Sequence, residues 1–184
     1  MNLRAAMVCA SLALAACAGH ASRTHGTGAP EAFELRLSPR SLGHELALQQ
    51  QLRIVSATGQ RTLDALLEVD AREVRLEIRT LGQSALRLRW DGEHLQQQRS
   101  PWLPATVRGG QILGDLQLAN WPVADIRAAL PAGWSLVETG GQRELRRGDA
   151  IVVTVRYPGN GRIEIERSDI RLTIDSVPIG SVPQ

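Results

Sequence analysis

The sequence predicts a mainly β domain with short helices, an α+β chain built on a single, strongly curved antiparallel sheet with the helices laid across its concave side. Three observations predict it. Apolar residues recur with a period of two in run after run, and short glycine-bearing gaps separate the runs. The alternation breaks between Arg99 and Trp134, where apolar residues take helical spacing. About nine strands with one apolar face must curl or stack to bury it, and helices laid across that face complete the cover. A closed small barrel or a sandwich fits the same pattern.

The first residues stand apart from that domain. Arg4 precedes a short apolar run, Ala5 to Ala16, that ends in small residues at Leu14-Ala15-Ala16-Cys17. Charged start, brief apolar stretch and small residues at the cut are the layout of a secretory signal. Its 12 apolar-run residues span about 18 Å as a helix, against a hydrocarbon core of roughly 30 Å. The run is too short to anchor the chain by crossing a bilayer. Residues 18 to 30 (AGHASRTHGTGAP) are small, polar and without period. They read as a flexible tether with a reach of about 20 Å. The expected organisation is a signal at 1–16, Cys17 and its tether at 17–31, the domain at 32–178 and a frayed tail at 179–184.

From Phe33 the period is two. Leu46, Leu48, Leu52 and Ile54 share one face of a strand over about Glu45 to Val55, and Thr58-Gly59-Gln60 makes the turn. Leu63, Ala65, Leu67 and Val69 form the next apolar face; Val74, Leu76 and Ile78 then stand opposite Glu73, Arg75, Glu77 and Arg79. Leu86, Leu88 and Trp90 follow, and His94 to Gln98 extends the meander. Pro101, Pro104, Gly109 and Gly110 then make a loop. Ile112, Leu113 and Leu116 fall at helical spacing, and Asn120 with Pro122 opens a second short helix carrying Val123, Ile126 and Leu130. Pro131 and Gly133 end it. Strands resume near Trp134. Ile151, Val153, Val155 and Tyr157 alternate, the Pro158-Gly159-Asn160-Gly161 turn follows, and Ile163, Ile165, Ile170, Leu172 and Ile174 complete the series. Ser176 to Gln184 holds two prolines and is expected to fray.

Composition narrows the function. All 21 basic residues are Arg, and without the signal 20 of them face 19 Asp and Glu, alternating along the strands rather than gathered on one face. That argues against a nucleic-acid surface. Cys9 leaves with the signal, so the mature domain has no internal disulfide and no thiol for metal binding or nucleophilic attack. His44 and His94 lack partners at ligand spacing, Ser84 lacks the second glycine of a nucleophile elbow, and Gly109-Gly110 and Gly140-Gly141 read as turns. No cofactor, metal or catalytic residue is expected. A hydrolase or transferase would need a polar cluster around His44 or His94 that the sequence does not announce.

Aromatic mass is concentrated in Trp90, Trp102, Trp121 and Trp134, three of which flank the helical interruption. Core filling is one explanation. The functional one is an apolar groove lined by Leu76, Leu88, Trp90, Trp102, Leu116, Trp121, Ile126 and Leu130, with Trp102 and Trp121 at its mouth. Such a groove suits acyl chains, which are held by apolar area at roughly 0.8 kcal/mol per buried methylene. The alternative is an accessory module that docks on an envelope complex through a sheet edge or its outer face.

Leu14-Ala15-Ala16-Cys17 resembles the bacterial lipoprotein signal, the lipobox, in which the cysteine sulfur receives a diacylglycerol and the freed amine is acylated. The resemblance implies lipidation at Cys17 and, because Ala18 rather than aspartate follows, residence at the periplasmic face of the outer membrane. Trp121-Pro122, Ile126, Leu130 and Pro131 look similar to the lid helix of the LolA/LolB lipoprotein-carrier fold, an open half-barrel with a helical lid. A nearer resemblance is to an uncharacterised family of small bacterial outer-membrane lipoproteins, often encoded beside aryl-polyene or fatty-acid-synthase-like genes. It rests on Asp115-Leu116-Gln117-Leu118, Trp121-Pro122, Leu130-Pro131-Ala132-Gly133-Trp134 and Val155-Arg156-Tyr157. These resemblances imply an acyl or polyene-like ligand, membrane lipid and envelope proteins as partners, and membrane contact through an apolar loop residue. Leu81 at a hairpin tip and Leu103, beside Trp102 between prolines, are the candidates for that contact.

Overall fold

The computed structural model describes residues 34–179. Cys17, the signal, the tether, Phe33 and residues 180–184 lie outside the described residues. An extended segment from Glu34 leads into a 3-10 turn at Pro39–Leu42, which Gly43 ends in the left-handed conformation with φ 83°. Ten strands follow: β1 (Leu46–Ser56), β2 (Gly59–Val69), β3 (Val74–Thr80), β4 (Gln83–Trp90), β5 (Leu95–Arg99), β6 (Trp134–Thr139), β7 (Gln142–Arg147), β8 (Ala150–Gly159), β9 (Arg162–Glu166) and β10 (Ile170–Pro178). Between β5 and β6 lie α1 (Gly109–Asn120) and α2 (Val123–Ala129).

All ten strands form one antiparallel sheet in the order β5-β4-β3-β2-β1-β10-β9-β8-β7-β6. Each half is a meander of hairpins, and the first and last strands meet in the middle, Leu52 opposite Ile174. The sheet is open: β5 is one edge and β6 the other. The helical segment runs from one edge to the other and packs on the face that the alternation makes apolar. Along β2 and β3 that face supplies Ala65, Leu67, Val69, Val74, Leu76 and Ile78, all buried, against Leu113 and Leu118 of α1 and Ile126 of α2 in the same core cluster. No helix among the described residues is long and apolar enough to cross a membrane.

The expected mainly β class with two short helices and a single sheet is what forms, and three local expectations are corrected. A strand that the alternation does not announce is β7 (QRELRR): it has one buried apolar residue, Leu145, too few to alternate, and it forms because β6 and β8 pair on both its sides. The tail does not fray at Ser176: β10 runs to Pro178 opposite Leu48, and the Ile179 amide donates to Ala47. The first hairpin turns at Ala57-Thr58, one residue before the expected turn. Asn120 does not cap α2. It ends α1, donating its Nδ2 to the Leu116 carbonyl at 2.8 Å, and Pro122 takes the cap position of α2. The Asn160-Gly161 turn is as expected, with both residues at positive φ (54° and 72°), the mirror-image turn that matches strand twist.

Candidate functional site

The extended segment Glu34–Ser38 lies along α1 and reaches β4. Its leucines at 35 and 37 are buried, as is Leu42 at the end of the 3-10 turn. An extended backbone inside a core must find partners for its N–H and C=O groups. Here a side chain supplies them. Gln117, fully buried in α1, accepts the Leu37 N–H on Oε1 at 3.0 Å and donates Nε2 to the Leu37 carbonyl at 2.9 Å. The Trp90 indole of β4 donates to that same carbonyl at 2.8 Å, and the Trp121 indole donates to the Ser38 carbonyl at 3.0 Å. One amide thus holds both backbone groups of one residue, and two indoles complete the clasp.

Gly110 and Gly114, one turn apart on α1, let this segment approach; with the 3-10 turn it forms a strap over residues 34–42. A Cβ on Gly110 would collide with the Glu34 carboxyl group, and one on Gly114 would stand 3.2 Å from the Leu35 nitrogen. The glycines are a packing device for this segment.

The far side of α1 is tied to the other half of the sheet. Arg143 of β7 donates Nη1 to the carbonyls of Leu118 (2.8 Å) and Trp121 (2.9 Å), with Ala119 at 3.4 Å. The last turn of a helix leaves its carbonyls unpaired at the negative end of the dipole, so a guanidinium there meets both needs. Tyr157 of β8 donates its hydroxyl to the Ala119 carbonyl at 2.7 Å, and burial pushes that phenol up to about 12. Asp115, facing away from the strap's clasp, pairs with Arg167 in the β9–β10 connection. Burial raises the Asp115 carboxyl above its ordinary value, with Arg167 opposing the shift. Arg167 Nε has no hydrogen-bond partner. On α2, Arg127 donates to the Leu136 carbonyl of edge strand β6 at 3.0 Å, which blunts that edge.

The sequence-nominated residues divide into an interior and a rim. Leu76, Leu88, Trp90, Trp121 and Ile126 are buried in the core, while Leu116 and Leu130 are half-buried against it. Trp121 therefore does not stand at a mouth; it is 0 % exposed and clasps the strap. Trp102 is 48 % exposed in the β5–α1 loop, with Leu103 half-buried beside it, and Leu81 is 98 % exposed at the β3–β4 tip. Asp115 on α1 is buried, apart from the solvent faces that hold the other acidic residues. Sequence reasoning missed Gln117, Arg143, Tyr157 and the strap leucines. For Gln117 and the strap the signals were the amide set between Leu116 and Leu118 and the glycine pair at 110 and 114.

Two further features bear on chemistry. A cleft of about 540 Å³ lies on the solvent face over β2–β5, lined by Arg75, Arg87 and Arg89 with Glu68, Glu77, Gln96 and Gln98. Arg75 pairs with Glu68, and Arg87 with Glu77, so the cleft presents balanced charge. Among the described residues no three His, Cys, Asp or Glu side chains converge on a metal-sized site. His94 is exposed beside Asp91 at 3.5 Å, and His44 is exposed.

A family model described as protein of unknown function (DUF3261) matches residues 47–178, from β1 to the end of β10. No curated protein matches the chain.

Proposed function

We propose that this chain, which belongs to that family of unknown function, is a non-catalytic, outer-membrane-anchored periplasmic lipoprotein that binds or transfers a hydrophobic ligand, an acyl chain or a polyene-like molecule. Cys17 carries the lipid anchor. The domain works as an open half-barrel of the LolA/LolB carrier type, and the connection α1–α2 is its lid.

One observation carries this reading: an extended, leucine-bearing segment already lies between lid helix and sheet, held by Gln117, Trp90 and Trp121. That slot is built to hold a long, narrow apolar chain. The ligand enters by replacing the strap, so the described form is the closed one, and Trp102 at the rim marks the entry. Leu81 and Leu103 are the membrane contacts. The balance of hydrogen bonds favours a strap that exchanges over a lid that departs, because Arg143 and Tyr157 tie the end of α1 to β7 and β8 as well.

Native mass spectrometry of the full chain extracted from membranes tests it. A co-purifying acyl or polyene ligand is expected, together with increased proteolysis at residues 34–42 when fatty acid is added. A ligand-free chain whose strap stays protected at saturating fatty acid overturns the proposal. A second reading, an interaction module of an envelope complex, draws support from the burial of Leu76, Leu88, Trp90, Trp121 and Ile126 by the chain's own side chains. A stable protein partner with no lipid bound would favour it.

A further inference from the structure

The topology gathers the chain's connections at two opposite ends of the sheet, and the ends differ in chemistry. One end holds the β1–β2, β3–β4, β5–α1, β7–β8 and β9–β10 connections. At or beside them stand exposed Arg61, Arg79, Arg108 and Arg147, against Asp149 and Asp169. The other end holds the β2–β3, β4–β5, β6–β7 and β8–β9 connections, the entry to β1 and the end of β10. It carries Glu45, Asp70, Glu73, Asp91, Glu93, Glu138 and Asp175 against Arg72 and Arg162. The molecule has a basic end and an acidic end, although its formal net charge is only +2.

The basic end also carries large exposed apolar side chains from four separate strands or loops, Val55, Leu81, Trp102 and Ile151, whereas the acidic end has Val177 and Ile179 but no exposed tryptophan among the described residues. Side chains of that end brace two of these tips: Arg79 donates to the Gly82 carbonyl at 3.0 Å, and Arg99 to the Pro104 carbonyl at 2.7 Å. Glu34, the first described residue, packs on Gly110 at the start of α1, so the described chain begins at this same end.

We infer that the basic end is a docking surface for an anionic phospholipid bilayer, lying flat on the membrane while the acidic end points away. Arginines draw a surface to anionic headgroups within a Debye length, and exposed Trp and Leu side chains settle at the headgroup–acyl boundary. The inference rests on the membrane-anchored reading for the supply of a nearby bilayer, and it fixes which way the domain faces it. With the slot's rim residue Trp102 at the membrane, an acyl chain can pass between bilayer and domain without crossing water.

The test uses the full chain reconstituted into vesicles of phosphatidylglycerol or of phosphatidylcholine, each with brominated acyl chains that quench tryptophan at short range. Quenching is expected in phosphatidylglycerol, to fall as salt is raised, and to be weaker in phosphatidylcholine. Trp102→Phe should remove it. The double variant Arg61→Glu/Arg108→Glu, with near-ultraviolet dichroism unchanged, should reduce it to the phosphatidylcholine level. Quenching that is equal in both lipids, insensitive to salt and unchanged by Trp102→Phe overturns the inference. The lipid and salt comparisons on the unaltered chain stand even if the double variant fails to fold. Flotation of Cys17→Ala with phosphatidylcholine vesicles at high salt, where the charged docking is weakened, reports separately on the anchor: continued flotation there would sink the anchor reading while the quenching comparison still decides the orientation.

Discussion

Replacing Gln117 by leucine is the sharpest perturbation of the strap. Leucine is close in size, so little space opens, but the Leu37 N–H loses its acceptor inside the core. A buried donor left unpaired costs about 1–3 kcal/mol. The Leu37 carbonyl keeps the Trp90 indole at 2.8 Å, so the lost second bond there adds only about 0.5–1.5 kcal/mol. The expected destabilisation is about 2–4 kcal/mol, which for a domain of this size lowers the thermal midpoint by about 5–15 °C. Urea unfolding gives the energy, and hydrogen exchange at the Leu37 amide gives the location. Gln117→Glu sharpens the test. A carboxylate accepts the N–H but cannot donate to the carbonyl, and burial raises its folded pKa above the unfolded value of about 4.3. Its stability must therefore rise as pH falls through the folded pKa, as the protonated acid regains the donor. Unchanged Leu37 exchange in Gln117→Leu, with a loss under about 0.5 kcal/mol, would refute the reasoning that this amide holds the strap.

Other outcomes follow from the same geometry. Leu81 sits at φ 48° in a two-residue turn before Gly82, a conformation costly for leucine; Leu81→Asn should stabilise the chain by about 0.5–1 kcal/mol in urea unfolding, and a loss would show that the side chain packs usefully. Gly110→Ala should be tolerated better than Gly114→Ala, because the first displaces only the end of the flexible Glu34 side chain and the second meets the Leu35 backbone; equal midpoints in a thermal melt would contradict this. Hydrogen bonds from Arg156 and Arg171 pull Glu166 down to about 2. Its contribution is present above the unfolded carboxylate pKa and fades as pH falls through about 2, so Glu166→Gln should destabilise at neutral pH and match the parent in strong acid. A constant difference across an acid titration of stability would rule that out.

The hairpins were legible because a strand with one wet face writes its geometry into alternate residues, as Val74, Leu76 and Ile78 do against Arg75, Glu77 and Arg79. β7 was not, because its place depends on two neighbours rather than on its own apolar residues. The interior candidates were legible as apolar residues, but their role was not: Trp121 appears in sequence as one aromatic near a loop, and only the fold sets its indole against Ser38. The clasp was the least legible part. Gln117 and Leu37 are 80 positions apart, and no local period links an amide to a backbone it will hold from that distance. The Asp115–Arg167 tie, spanning 52 positions, is hidden for the same reason.

Whether the strap can yield to a ligand depends on magnitudes. Leu35, Leu37 and Leu42 are buried, and at about 1.5–3 kcal/mol each they contribute about 5–9 kcal/mol. The four hydrogen bonds to Leu37 and Ser38 add about 4 kcal/mol at a net of about 1 each. An acyl chain with about fourteen buried methylenes contributes about 11 kcal/mol. The strap and the proposed acyl ligand are within a few kcal/mol of each other, which is the condition that the proposed exchange requires: a much weaker strap would leave an apolar slot open to water, and a much stronger one would never leave. The freed Gln117 amide decides the direction. An acyl chain gives it no partner, so its unmet donor and acceptor favour the strap's return once the chain is handed on. Gln117→Leu removes that penalty and weakens the strap together, so the variant should retain ligand that the parent releases. Retention measured by native mass spectrometry after dilution distinguishes this from simple destabilisation, which would lose ligand faster.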